Sequence, residues 1–69
     1  NLDDTIQQLA DMAFKNKSGN MFQDIVSRLE AHMIKKALEL TNGNQVHAAR
    51  LLGISRNTLR KKIGEENLV

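Results

Sequence analysis

The 69-residue chain has no cysteine, proline, tryptophan or tyrosine, and its only aromatic residues are Phe14 and Phe22. Without cysteine there is neither a disulfide staple nor a thiolate metal site, and His32 and His47 alone cannot complete a four-ligand zinc site. No metal and no cofactor are expected. Tyr and Trp, which stack on unpaired bases, are missing, and neither Phe lies in the basic part of the chain, so single-stranded nucleic acid is a poor partner. The longest apolar run is two or three residues, which excludes a membrane span and a secretory leader and points to a cytoplasmic protein. Nor is there a glycine-rich phosphate loop, or a Ser, His and Asp set in a familiar context, so no enzyme is expected. A chain this short buries only about 60% of the surface that its unfolded form exposes. With no staple and no metal, a second copy of the chain is the expected source of further burial. The chain begins at Asn1 rather than Met, which suggests a piece of a longer protein.

Charge is distributed unevenly. Residues 1–43 carry five basic and six acidic side chains, whereas residues 44–63 hold Arg50, Arg56, Arg60, Lys61 and Lys62 and no acid. Glu65 and Glu66 then close the chain. A segment of one sign concentrates a polyanion near itself.

In the absence of proline, Gly19, Gly43, Gly53 and Gly64 punctuate the chain into helical lengths. A first helix is expected over about 3–15, with Asp3 and Asp4 complementing the dipole at its start and Leu2, Ile6, Leu9, Ala13 and Phe14 at helical spacing. Lys15-Asn16-Lys17-Ser18-Gly19 interrupts the pattern. Asn20 with Gln23 then reads as a variant capping box, opening a second helix over about 21–41. Phe22, Val26, Leu29, Met33, Ala37 and Leu40 form a stripe along that helix, with Asp24, Arg28, Lys35 and Glu39 opposite. Ile34 and Leu38 sit about 100° or more from the stripe, so the C-terminal half needs a second partner surface. Asp24 with Arg28, and the mixed signs around Glu39, read as pairing along the helix surface. Met12, Met21 and Met33 read as core filler.

Thr41-Asn42-Gly43 supplies a left-handed helix end, and Asn44 a cap for a third helix over 45–52. Gly53 stops that helix, Ile54 plugs the turn, and Ser55 caps a fourth over about 56–63. Ala48 and Ala49 permit a close helix crossing, while Leu52, Ile54, Leu59 and Ile63 provide an apolar corner. These are the parts of a helix-turn-helix. With Leu59 and Ile63 inward, stepping by about 100° per residue turns Asn57 and Lys61 farthest outward, with Arg56 and Arg60 on one flank and Thr58 and Lys62 on the other. Arg56 offers a fork of donors to guanine O6 and N7, and Asn57 suits adenine. Ser55, Thr58, Lys61 and Lys62 suit phosphates near the positive end of the helix, and His47 reads as a surface or groove-edge histidine.

TNGNQVHAARLLGISRNTLRKKI, residues 41–63, closely resembles the Fis-type helix-turn-helix. That unit occurs in factor for inversion stimulation and at the C-terminus of sigma-54-dependent activators of the nitrogen regulatory protein C type. The elements GNQ, AA, LLGI and R-T-LRKK carry the likeness, which is looser over 1–40. The resemblance implies an all-α chain of four helices. Residues 1–42 would form the dimerisation part, paired in a four-helix bundle, and 43–69 the DNA-binding unit. It implies Arg56 as the guanine reader, backbone contacts from Asn44 and Thr58, and groove and phosphate contacts from Arg60 and Lys61. With Gln45, Ser55, Asn57 and Lys62, these make up the expected interface with double-stranded DNA. The expected dimer interface is Ile6, Leu9, Phe14, Phe22, Val26, Leu29 and Met33. Val46 stands where a Thr is frequent, and Gly64-Glu65-Glu66 departs from the usual continuation, so a tail that frays or folds back through Leu68 and Val69 is expected. The function implied is enhancer binding for a bacterial activator whose other domains contact sigma-54 RNA polymerase. The alternative is a low-specificity DNA-bending protein of the nucleoid.

Overall fold

The structure, a computed structural model, describes residues 1–16 and 19–68. Four α-helices and no strand occur among the described residues: α1 (Leu2–Asn16), α2 (Met21–Leu40), α3 (Gln45–Leu52) and α4 (Arg56–Glu66). The expected break at Lys17 and Ser18, and the part of Val69 in the tail, lie outside the described residues.

Helix α1 starts as expected, with Asp3 and Asp4 in its first turn and the Asn1 side chain accepting a hydrogen bond from the Asp4 N–H at 3.0 Å. The start of α2 differs from expectation. Asn20 occupies the cap position, but its side chain makes no capping bond, and Gln23 bonds to Ser27 instead of reaching back. The backbone carbonyl of Asn20 still accepts from the Asp24 N–H at 2.9 Å, so α2 begins on schedule without the reciprocal box. Along its outer surface Arg28 pairs with Asp24 at 3.2 Å and Lys36 with Glu39 at 3.7 Å.

Helices α2, α3 and α4 end alike. Asn42, Gly53 and Asn67 take left-handed backbone angles (φ 56°, 75° and 52°), and the N–H of the next residue reaches back to the carbonyl five positions earlier: Gly43 to Leu38, Ile54 to Ala49, and Leu68 to Ile63. Each closure satisfies carbonyls that a helix end otherwise leaves without partners. Thr41 reinforces the first: its hydroxyl, with one proton to donate, lies 2.9 Å from the Ala37 carbonyl and 3.1 Å from that of Asn44, at the junction of α2 and α3. The last closure corrects the expected length of α4. The helix runs through Gly64 to Glu66 before Leu68 folds back to pack on the core. Burial of Leu68 offsets the roughly 1 kcal/mol that a glycine costs inside a helix.

One buried cluster organises the C-terminal half: Ile34 and Ala37 from α2, Ala48 and Ala49 from α3, Leu59 and Ile63 from α4, with Leu38, Leu52 and Leu68 packed against it. Ile34 and Leu38 thus meet the helix-turn-helix, while Ala37, counted on the long stripe, turns out to belong to this same core. The rest of the stripe is uncovered within one chain. Ile6, Phe14, Phe22, Leu29 and Met33 are exposed, Phe22 at 79%, and Leu9 and Val26 are half-buried. Met12 and Met33, expected as core filler, are likewise exposed, and Met21 is half-buried. Among the described residues α1 contributes only Ala13 to the buried apolar set, because two helices side by side enclose little volume between them. α1 contacts α2 alone, so α2 is the beam joining the hairpin to the helix-turn-helix.

Candidate nucleic-acid interface

The interface is assembled by the caps of two short helices. The Asn44 side-chain oxygen accepts from the His47 N–H at 3.1 Å, which starts α3 and leaves the Asn44 amide donors outside the cap. Gly53 turns the chain, and the Ser55 hydroxyl accepts from the Thr58 N–H at 3.1 Å to start α4. Ala48 and Ala49 are buried at the crossing, where any larger side chain would push the helices apart.

Leu59, fully buried, and Ile63 fix which way α4 faces. Arg56, Asn57, Thr58, Arg60 and Lys61 are therefore all exposed. None of these five side chains forms an ion pair among the described residues, so their donors are free to meet a ligand. Tertiary structure adds what the sequence order hides. Arg56 and Arg60 line an open notch together with Asn44, Gln45 and Val46, so the first turn of α3 and one flank of α4 share a concave surface. Two arginines and the positive end of α3 border it, a combination suited to an anionic oxygen. Val46 occupies that notch as an exposed apolar side chain and supplies no hydroxyl. His47 lies in a separate depression with Thr41, Arg50 and Leu51.

Lys62 is set apart from the outward row. Its ammonium lies 3.1 Å from a carboxylate oxygen of Glu30 on α2 and donates to the other at 3.3 Å. The hydrogen bond and charge of Glu30 hold the Lys62 ammonium above its ordinary pKa, with smaller support from Glu65 and Glu66. Sequence reading gave Glu30 no role, and a partner 32 positions away leaves no local signal. No group of three or more acidic or histidine side chains suited to a metal occurs among the described residues, and no helix is long and apolar enough to cross a membrane.

Residues 25–65, from the second turn of α2 to the last turn of α4, match the family of bacterial regulatory proteins known as the Fis family. The chain belongs to that family. It is 46% identical over 46 residues to the DNA-binding transcriptional regulator NtrC of Azospirillum brasilense, covering 67% of this chain and 10% of that protein. The NtrC of Rhizobium meliloti is 49% identical over 45 residues, or 65% of this chain and 9% of that one. The DNA-binding protein Fis of Buchnera aphidicola subsp. Schizaphis graminum is 43% identical over 44 residues, covering 64% of this chain and 44% of that protein. The chain thus spans about a tenth of these NtrC regulators and less than half of Fis. No solved structure matches it.

Proposed function

We infer that this Fis-family chain is a dimeric module that reads double-stranded DNA, and that it serves as the C-terminal enhancer-binding part of a sigma-54-dependent transcriptional activator in the bacterial cytoplasm. One observation carries the reading: α4 buries Leu59 and Ile63 and turns Arg56, Asn57, Arg60 and Lys61 outward beside the first turn of α3. A rigid helix bearing unpaired guanidinium and amide donors on one face has the chemistry to enter a major groove. In this reading Arg56 takes guanine, Asn57 takes adenine, and Asn44, Gln45, Thr58, Arg60 and Lys61 hold the backbone. Ser55 acts through its cap, since its hydroxyl is engaged with Thr58.

Homodimerisation is the second part of the proposal. Phe14, Phe22, Leu29 and Met33 leave a large apolar surface on a hairpin with almost no interior of its own. Residues 1–42 then supply the paired platform and 43–69 the reading head. Similarity to the NtrC regulators supports the activator role, with regulatory and polymerase-contacting parts in other domains. Similarity to Fis supports a second reading, a low-specificity DNA-bending protein of the nucleoid.

Selection from a randomised duplex pool, followed by fluorescence anisotropy at two salt concentrations, separates these readings. A recurring two-fold-related sequence bound much more tightly than random duplex is expected, with affinity falling steeply as salt rises. A tight but flat selection favours the bending protein. Affinity too weak to measure at low salt rejects both.

A further inference from the structure

The Glu30–Lys62 contact is the only ion pair among the described residues that joins two helices, and both side chains are about one-third exposed. It bridges α2 and α4 along a cleft that the pair lines together with Met33, Ile34, Leu52, Ile54 and Thr58. Beneath it, α4 is held through Leu59 and Ile63, and apolar burial of that kind is non-directional. Burial of Leu59 and Ile63 sets which side of α4 faces inward and leaves only its fine roll to be fixed. A charged hydrogen bond from one flank of α4 to the platform helix sets it.

We propose, on the DNA-binding reading above, that Glu30 is a positioning residue for base recognition: it draws Lys62 away from the phosphates and fixes the roll of α4, so that Arg56 and Arg60 keep one aim relative to the platform. Glu30 touches no DNA in this scheme and acts through Lys62. The basic segment then has one cation fewer for phosphate than its composition suggests. Its specificity depends on an acid located outside the helix-turn-helix.

The test uses the whole 69-residue chain and anisotropy with the selected target and with random duplex across a salt series. Glu30→Gln and Lys62→Gln are each expected to lower the target-over-random ratio about threefold to tenfold. Lys62→Gln is expected to leave the slope of log affinity against log salt unchanged, whereas loss of a true phosphate contact flattens it by about 0.9 per chain. The exchanged pair, Glu30→Lys with Lys62→Glu, is expected to recover discrimination, because the bridge is rebuilt with reversed polarity. A flattening of about 0.9 with Lys62→Gln overturns the proposal by making Lys62 a phosphate ligand. Unchanged discrimination in both single variants, or a folded exchanged pair that fails to recover it, overturns it equally. Circular dichroism identifies an exchanged pair that does not fold, and the single variants then decide. A wild-type chain without salt-dependent affinity for duplex defeats the DNA-binding reading itself and takes the positioning role with it.

Discussion

Ser55 and Thr58 are joined twice: the Ser55 hydroxyl oxygen accepts from the Thr58 N–H at 3.1 Å, and the same hydroxyl donates to the Thr58 Oγ1 at 2.8 Å. The two bonds occupy Ser55 at the first turn of α4 and leave the Thr58 hydroxyl proton available outward. Ser55→Ala is therefore expected to cost about 1 kcal/mol of stability through the lost cap. The salt slope of DNA binding should stay as in the wild type. Thermal denaturation and a salt titration check the two halves separately, and a flatter slope would return Ser55 to the phosphate contacts.

Two glycines should respond to alanine in opposite directions. Gly53 holds φ at 75°, where a Cβ is strained even with open space around it, so Gly53→Ala is expected to destabilise by about 1–2 kcal/mol. Gly64 lies inside α4 with nothing within 4 Å of an added Cβ. Gly64→Ala should stabilise by about 0.5–1 kcal/mol, readable as a higher melting temperature. A destabilised Gly64→Ala would mean that α4 does not run on to Glu66.

Phe22 reports on assembly. If a second copy covers it, Phe22→Ala in both chains should weaken the dimer by about a hundredfold or more, at about 1.5–3 kcal/mol for each large apolar side chain left uncovered. Sedimentation equilibrium across a dilution series measures this. A wild-type chain that sediments as one copy at micromolar concentration contradicts the dimer.

Arg56→Ala distinguishes base reading from simple attraction. A loss of about 1–3 kcal/mol on the selected target, with little change on random duplex, is expected for a bidentate guanine contact. Equal loss on both would reduce Arg56 to a phosphate contact.

The Lys62 pair sets a pH dependence at the alkaline end. Pairing with Glu30 raises the folded-state pKa above the ordinary 10.5, so folding favours the protonated amine. The resulting stability is complete below about 10.5 and is lost as pH climbs through the raised value. The stability difference between wild type and Lys62→Gln should be constant from about pH 7 to 9 and shrink above about 10.5. Chemical denaturation at stepped pH follows it, and a difference that grows with pH would contradict the pairing.

Much of the fold could be read from single residues because its signals are local. Asn44, Gly53 and Ser55 act within four positions of themselves, and a cap or a left-handed turn depends on nothing distant. The inward side of α4 was legible for the same reason, since 3.6-residue periodicity places Leu59 and Ile63 together. Asn20 is cap-compatible by residue type, but its own backbone, at φ −119° and ψ 31°, lies outside the extended region that Asn44 and Ser55 adopt as caps. The end of α4 is not legible locally because Gly64 argues for a stop, while the burial that carries the helix onward comes from Leu68 against the buried cluster.

Sequence by itself determined four helices, their polarity of charge and the outward donors of the last one, all consequences of short-range periodicity and capping. Only tertiary structure decided that Arg56 and Arg60 share a notch with Asn44 and Gln45, and that Lys62 belongs to Glu30. Those relationships depend on how α2, α3 and α4 cross, and crossing is fixed by the close packing of Ile34, Ala37, Ala48, Ala49 and Leu59, whose positions along the chain carry no record of the angle.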